Sequence, residues 1–482
     1  MQLERIQRWL DKAESSAADS ENLVAKAPTA RGVKRRRFDP ISTPPLSDAL
    51  LGRGDNPMDG TPACAGEASP SSTSSKRQLD DQTPRAKRIQ TGRSERSYAL
   101  LSSTSSNRSS RTGGGSSPRK QLRSLQLHPR GLDVRSLFDA HATLFRPAAL
   151  QRLLDDVQEI ADGRGIVARE VQPSLERAAA WDARFSWALR QGGAHMVAND
   201  GASDLGGRSP PPAAVRRVIK AALECDDRGH PEANWNTHVH SRILEMAFCP
   251  YNEKEEDERA AVVTKKENLV DFIGSTTASI IAEYGIPTVS KKVDFCVFID
   301  PIGDRSLPPA FQAGVEHARA VLPLGVVSFT DFAPLYDRFV ALSIETKKPS
   351  ENLEAAELQL GVWDMARWSF LRRLIELKLL SATTTDQDVD KATASRDNEA
   401  VQAQLPEFLP GIIVQGHDWL LVVTTMEGEK TVLWQKLTIG STATARGVYQ
   451  IVRTLQHLET WAREVHWPWL RTVVQGIAGA QA

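Results

Sequence analysis

The sequence predicts a mixed α/β domain of about 350 residues, preceded by a basic tail that cannot fold by itself. Three observations carry this reading. The chain of 482 residues has 60 basic and 60 acidic side chains, but residues 1–130 hold 23 of the basic and 13 of the acidic ones, so a tail of net +10 precedes a remainder of net −10. Of 11 Trp, 5 Tyr and 14 Phe, only Trp9, Phe38 and Tyr98 fall in those first 130 positions, too little apolar area to offset the entropy of chain ordering. Beyond residue 131 the apolar periodicity runs helical, then alternating, then helical, alternating and helical again, the mark of a sheet flanked by helices.

Within the tail, Leu3, Ile6, Trp9 and Leu10 share helical spacing over one or two turns, which is marginal alone. From Pro28 the composition turns to Pro, Ser, Gly and Arg, and residues 102–118 contain eight Ser and three Gly, a flexible-linker composition. Order is expected to begin near Leu132. The apolar positions Leu137, Phe138, Leu144, Leu150, Leu153, Leu154, Val157 and Ile160 predict a helix within 136–160, and similar patterns predict helices at about 213–224, 235–248 and 267–284. KKVDFCVFID (291–300) alternates Val293, Phe295, Val297 and Ile299 with Asp294, Cys296 and Phe298, a strand pattern. ALSIETK (341–347) reads as a second strand, followed by a long helix over 353–380. After a polar insert at 381–404, GIIVQG, DWLLVVTTM and KTVLWQKL read as three more strands, with Glu427-Gly428-Glu429 as a hairpin turn. A terminal helix over 445–475 closes the chain.

The four cysteines, Cys64, Cys225, Cys249 and Cys296, form no CxxC pair and no regular framework, so they read as reduced thiols. No apolar run approaches the roughly 20 residues that span a bilayer, and the N-terminal stretch MQLERIQRWLDK lacks a secretory signal's apolar segment. An intracellular protein is expected. Two basic clusters, Lys34 to Arg37 and Lys76-Arg77 with Pro84-Arg85-Ala86-Lys87-Arg88, have the spacing of nuclear import signals. Direct phosphate contact and plain solvation are the other readings of such runs.

The chemistry-bearing residues sit on the two central strands. Glu345 and Lys347 are two apart on one strand, so both project from the same face. Asp294 lies inside the preceding strand pattern, where a carboxylate is costly unless paired or bound to a metal. Carboxylates on neighbouring strands make a hard-oxygen site suited to Mg²⁺ or Mn²⁺, and a lysine beside them can orient or help deprotonate a metal-bound water. This is equipment for phosphodiester hydrolysis.

These residues resemble the PD-(D/E)XK nuclease-like superfamily, and in particular a fungal group within it. The resemblance rests on Asp294 in KKVDFCVFIDP, Glu345-Thr346-Lys347 in LSIETKKP, Glu245 in NWNTHVHSRILEMAF, Gln359 with Trp363 in LQLGVW, and the segments LPGIIVQGHDW and WAREVHWPWLR. It covers roughly residues 140–475. It implies a restriction-endonuclease-like mixed sheet flanked by helices and a domain over 131–482. It also implies metal ligation by Glu245, Asp294 and Glu345, and a catalytic set of Asp294, Glu345, Lys347 and Gln359. The cofactor would be Mg²⁺ or Mn²⁺ and the partner nucleic acid, most simply DNA; the nuclear location is expected from the basic clusters of the tail. Val293 stands where many members have Pro, and about 50 residues separate Asp294 from Glu345, far beyond a hairpin loop; an insert with its own helix at about 308–321 reconciles the spacing. A different class of function stays open: a degenerate site on the same fold, serving as a nucleic-acid-binding or protein-interaction module. A DNA cleft on so acidic a domain needs a local basic patch, for which Lys291, Lys292, Lys347, Lys348, Arg372 and Arg373 are the candidates. His238, His240 and Cys249 do not suit zinc, because alternate histidines on a helix face different ways. The C-terminal tryptophans read as core.

Overall fold

The fold is described from a computed structural model, over residues 117–137, 146–189, 196–197, 209–249, 268–286, 291–349, 351–382 and 398–478. The tail up to residue 116, its basic clusters and Cys64 lie outside the described residues. Helix α1 (Pro118–Leu127) comes first, ahead of the expected onset of order. Its leucines Leu122 and Leu125, three apart, are both buried; a pair this short is easily lost among the polar residues around it.

Seven strands form one mixed sheet: β1 (Leu132–Ser136), β4 (Val270–Gly274), β5 (Phe295–Ile299), β6 (Phe339–Lys347), β7 (Leu409–Gln415), β8 (Asp418–Glu427) and β9 (Lys430–Ser441), in the spatial order β1-β9-β8-β7-β6-β5-β4. The separate pair β2 (Val167–Ala168) and β3 (Met196–Val197) is parallel. In the large sheet, β1 runs parallel to β9 and β6 parallel to β7, while the other neighbours are antiparallel. The parallel β6–β7 pair needs a crossover, and the 30-residue helix α8 (Leu353–Ala382) supplies it. All nine positions of β6 are buried, as befits a central strand covered on both faces. The hairpin between β8 and β9 turns at Gly428, with φ +60°, where the sequence places it.

Helices α2 (Ala148–Ala161), α3 (Gln172–Ala179) and α4 (Pro212–Asp227) precede the site. The next helical stretch begins as α5 (Glu232–Trp235), passes through a π-turn at Asn236–His240, and continues as α6 (Ser241–Phe248). Helix α7 (Pro309–Val321) is the expected helix of the insert between the Asp294 and Glu345 strands. Helices α9 (Ala445–Trp461) and α10 (Trp467–Ile477), joined by a second π-turn at Ala462–His466, close the domain. α8 packs on β6, β7 and β9, and α9 packs on β9, so the architecture is the expected α/β sheet flanked by helices. The tryptophans are core as read: Trp467 is buried and donates to Asp304 Oδ2 at 2.8 Å, while Trp461 and Trp469 stack on either side of His466.

One local reading needs correction. Residues 267–284 are not a helix: Val270–Gly274 is the edge strand β4, antiparallel to β5, and the rest is turns. Its apolar residues Leu269, Val270, Phe272 and Ile273 mimic helical spacing, and pairing with β5 overrides it. Strand β1, LDVRS, is too short to show a period and is held by β9.

Candidate active site

The site lies where the C-terminal end of β6, the entry to β5 and the start of α5 meet. Asp294 is held by β6 itself: the Asp294 N–H donates to the Ile344 carbonyl at 3.1 Å, and Asp294 Oδ2 accepts from the Thr346 N–H at 2.9 Å and lies 2.9 Å from the Thr346 hydroxyl. Glu345 is almost wholly buried and is salt-bridged through Oε1 to Lys347 Nζ. Lys347 Nζ also donates to the Thr346 carbonyl at 2.8 Å and reaches Glu232 Oε2 at 3.5 Å. Strand geometry thus sets Glu345 and Lys347 together, two residues apart, as the sequence reads.

The turn after β7 fixes the end of β6. The Gly416 N–H donates to the Lys347 carbonyl at 2.7 Å, and Gly416 has φ +58°, with a Cβ there meeting Pro349 Cγ at 2.5 Å. Both the backbone conformation and the space demand glycine. Gly416→Ala is expected to destabilise the fold by about 1–3 kcal/mol, measurable as a lower midpoint in denaturant.

Helix α5 brings an acid that the sequence reading places elsewhere. Glu245 is exposed on α6 and lies 13 residues beyond Glu232, roughly 20 Å further along the helical stretch; it does not reach Asp294, Glu345 or Lys347. Glu232, at the first turn of α5, is the acid that meets them. The sequence does not single it out, because Pro231-Glu232 lies before the apolar helical run. Gln359 is on α8 as expected, but its amide donates to the Lys292 carbonyl at 3.2 Å. It braces the backbone leading into Asp294 and does not join the carboxylates. His238 is exposed and His240 buried, while Cys249 is bonded to Asp271 Oδ1 at 3.3 Å, so these three do not converge.

Of the basic candidates, Lys291 is near enough to feel both Glu345 and Lys347; burial lowers its pKa and Glu345 opposes the shift. Lys292 donates to the Thr277 carbonyl and Lys348 pairs with Glu351. Arg372 bonds to Asn398 and the Gly428 carbonyl, and Arg373 pairs with Glu376. Gly428 is at the opposite end of β8 from the Gln415–Asp418 turn beside the site, so these two arginines do not contribute to one patch with the lysines. They line a cavity of about 1060 Å³ beside α8, which holds none of the site carboxylates.

Burial dominates the electrostatics. It raises the Asp294 carboxyl and, with the charge of Asp294 added, raises Glu345 well above the usual range. Burial and then Asp294 push Glu232 up to about 7. For Lys347, burial opposes the charge, but Glu345 and Glu232 outweigh it and its pKa is raised. Three carboxyl groups around one ammonium leave a surplus of negative charge that only protons or a cation can balance. The donors are all oxygens, and Asp294 Oδ1 accepts one hydrogen bond, from Asn236 at 3.3 Å, leaving a lone pair. The donor chemistry fits a hard divalent cation such as Mg²⁺ or Mn²⁺. Among the described residues, no three His, Cys, Asp or Glu side chains are already gathered as a ligand set; Lys347 stands bonded to two of the three acids here.

Searches of curated proteins and of solved structures return no match. Comparison with known families gives one: residues 174–467 match the PD-(D/E)XK nuclease superfamily. That span is more than half of the 482 residues and contains Glu232, Asp294, Glu345 and Lys347, and the chain therefore belongs to the PD-(D/E)XK nuclease superfamily.

Proposed function

We propose that the protein is a divalent-metal-dependent nuclease that hydrolyses DNA phosphodiester bonds. The observation that carries this reading is the cluster of Asp294, Glu345 and Glu232 around Lys347, a buried surplus of negative charge in a chain of a nuclease superfamily. Asp294, Glu345 and Glu232 would hold Mg²⁺ or Mn²⁺, which supplies charge for the scissile phosphate and a more acidic bound water. Lys347 places a positive charge beside the reacting centre and orients the attacking water. Lys291 adds a second cation facing Glu345, able to meet a phosphate of the substrate backbone. Plasmid and single-stranded DNA should be cut by the purified protein with Mn²⁺ or Mg²⁺ and spared when chelator is added; intact DNA at millimolar Mn²⁺ would overturn the reading.

One observation favours a second reading, a nucleic-acid-binding or protein-interaction module with a degenerate site. Lys347 already closes on Glu345, and no three-ligand set is gathered among the described residues. Metal-independent DNA binding without cleavage is its signature. For location, no helix among the described residues is long and apolar enough to cross a membrane, and the basic clusters at 34–37 and 76–88 are proposed to direct nuclear import. Alanines at Lys34, Arg35, Arg36 and Arg37 together with Lys87 and Arg88 should abolish nuclear accumulation of a fluorescent fusion; unchanged accumulation removes that proposal.

A further inference from the structure

Asn236 belongs to no motif, yet it ties the Asp294 carboxylate to two other elements. It opens the π-turn Asn236–His240, in which the Ser241 N–H and the Ser241 hydroxyl both donate to the Asn236 carbonyl, the hydroxyl at 2.7 Å. Such one-residue expansions of a helix are often found at functional sites. Here the turn begins one helical turn after Glu232, so Glu232 and Asn236 both face β6. Asn236 Nδ2 donates to Asp294 Oδ1 at 3.3 Å, and Asn236 Oδ1 lies 2.9 Å from the Thr346 hydroxyl and 2.9 Å from His240 Nδ1.

An ionised Asp294 sets the orientation of the amide. Flipped, it would set its oxygen against the Asp294 carboxylate. With Nδ2 on Asp294, Oδ1 is an acceptor, which the Nδ1–H tautomer of His240 would meet. His240 is itself fixed, buried between a stacked Trp235 at 5.9 Å and the edge-on ring of Trp419 at 5.7 Å. The single proton of the Thr346 hydroxyl has two acceptors at 2.9 Å, Asn236 Oδ1 and Asp294 Oδ2. Donors from β6 and the π-turn therefore meet on one carboxylate and its neighbour. The result fixes the plane of the Asp294 carboxylate before anything binds.

We infer that Asn236, latched by His240, is a positioning residue that pre-orients the Asp294 carboxylate for a divalent cation. The inference rests on the nuclease reading for its metal, and it assigns a role to residues that touch neither metal nor substrate. Groups behind a ligand commonly account for 10–100-fold in metal affinity or activity, because the bound geometry is otherwise formed at the expense of ligand freedom.

The test is a Mn²⁺ titration of full-length protein followed by thermal shift, which needs no substrate, alongside DNA cleavage at saturating Mn²⁺. For Asn236→Ala the Mn²⁺ midpoint of the thermal shift should rise about 10–100-fold, with the KM for DNA unchanged and kcat reduced. His240→Phe keeps both ring contacts but removes the N–H, and should raise the midpoint severalfold; it carries the test if Asn236→Ala does not fold. A purely structural network predicts lower melting temperatures in both variants with wild-type Mn²⁺ midpoints, and that outcome overturns the inference. If wild type shows neither a Mn²⁺ shift nor cleavage, the nuclease reading has failed, and this inference with it. A wild-type response that both variants share is a failure of this inference alone.

Discussion

DNA cleavage by Lys347→Ala and by Glu345→Ala protein is expected to fall by about 10²–10⁴-fold, the range seen when a positioned charge or proton-transfer group is lost. The two losses have different origins. Glu345→Ala removes a proposed ligand together with the partner of Lys347 Nζ, so it should also weaken the response to Mn²⁺. Lys347→Ala leaves the acids in place and takes away the cation that balances Glu345 and Glu232. Metal affinity should then hold or rise while turnover collapses. Lys347→Met, which keeps the aliphatic stem in its buried place, should show the same collapse and separates charge from packing. Steady-state cleavage and Mn²⁺ thermal shifts on the same preparations check both claims. Equal cleavage by wild type and all variants would point to a contaminating nuclease and remove the catalytic assignment.

The second large effect concerns stability and lies away from the site. Asp364 on α8 is fully buried; its Oδ2 accepts from the Thr424 hydroxyl at 3.2 Å, and the Ser343 hydroxyl also lies against its carboxylate. Burial, opposed by nearby Arg367, pushes its carboxyl from 3.8 up to about 7. A folded-state pKa above the unfolded value means that the folded protein holds the proton more tightly, so this contribution is complete below pH 4 and is lost as pH rises towards 7. The whole shift corresponds to about 4 kcal/mol. Asp364→Asn, which mimics the protonated group, should match wild type near pH 4 and exceed it by up to about 4 kcal/mol at pH 8. His240, pushed down to about 3 by burial, works in the opposite direction between pH 3 and 6.5, but it is present in both proteins and cancels in the difference. Denaturant titrations across pH settle the matter: a constant difference, or one that grows towards low pH, contradicts a carboxyl protonated in the folded state.

How far the sequence could be read depended on whether a signal was local. Glu345 and Lys347 were legible because strand alternation alone puts them on one face, and Asp294 because a carboxylate inside an apolar strand has to be explained. The insert helix α7 and the hairpin at Gly428 were legible for the same reason, each having a period or a turn residue of its own. Glu232 was not, since its role depends on where α5 docks against β6, which no spacing within the helix reveals; Glu245, on the more conspicuous apolar stretch, looked better and points to solvent. Strands β1 and β4 were hidden because their conformations are imposed by β9 and β5. Asn236 could not be read at all, because the π-turn that aims it has no propensity pattern.

The parallel pairing of β1 with β9 has a consequence for how the chain is made. Leu132 pairs with Thr431 and Ser136 with Gln435, about 300 residues further along the chain. At translation rates of about 5–20 residues per second, β1 waits roughly 15–60 s on the ribosome before its partner exists. Its Asp133 and Arg135 suit a strand that must spend that time unpaired without recruiting other chains. The long-delayed contact also gives the domain a high contact order and hence slow folding. Once closed, β1 covers the flank of β9, a twelve-residue strand carrying Val432, Leu433 and Trp434. A truncated or nicked product without β1 would bare that flank as an adhesive edge, so proteolysis near residue 131 should cost solubility before it costs the carboxylate cluster.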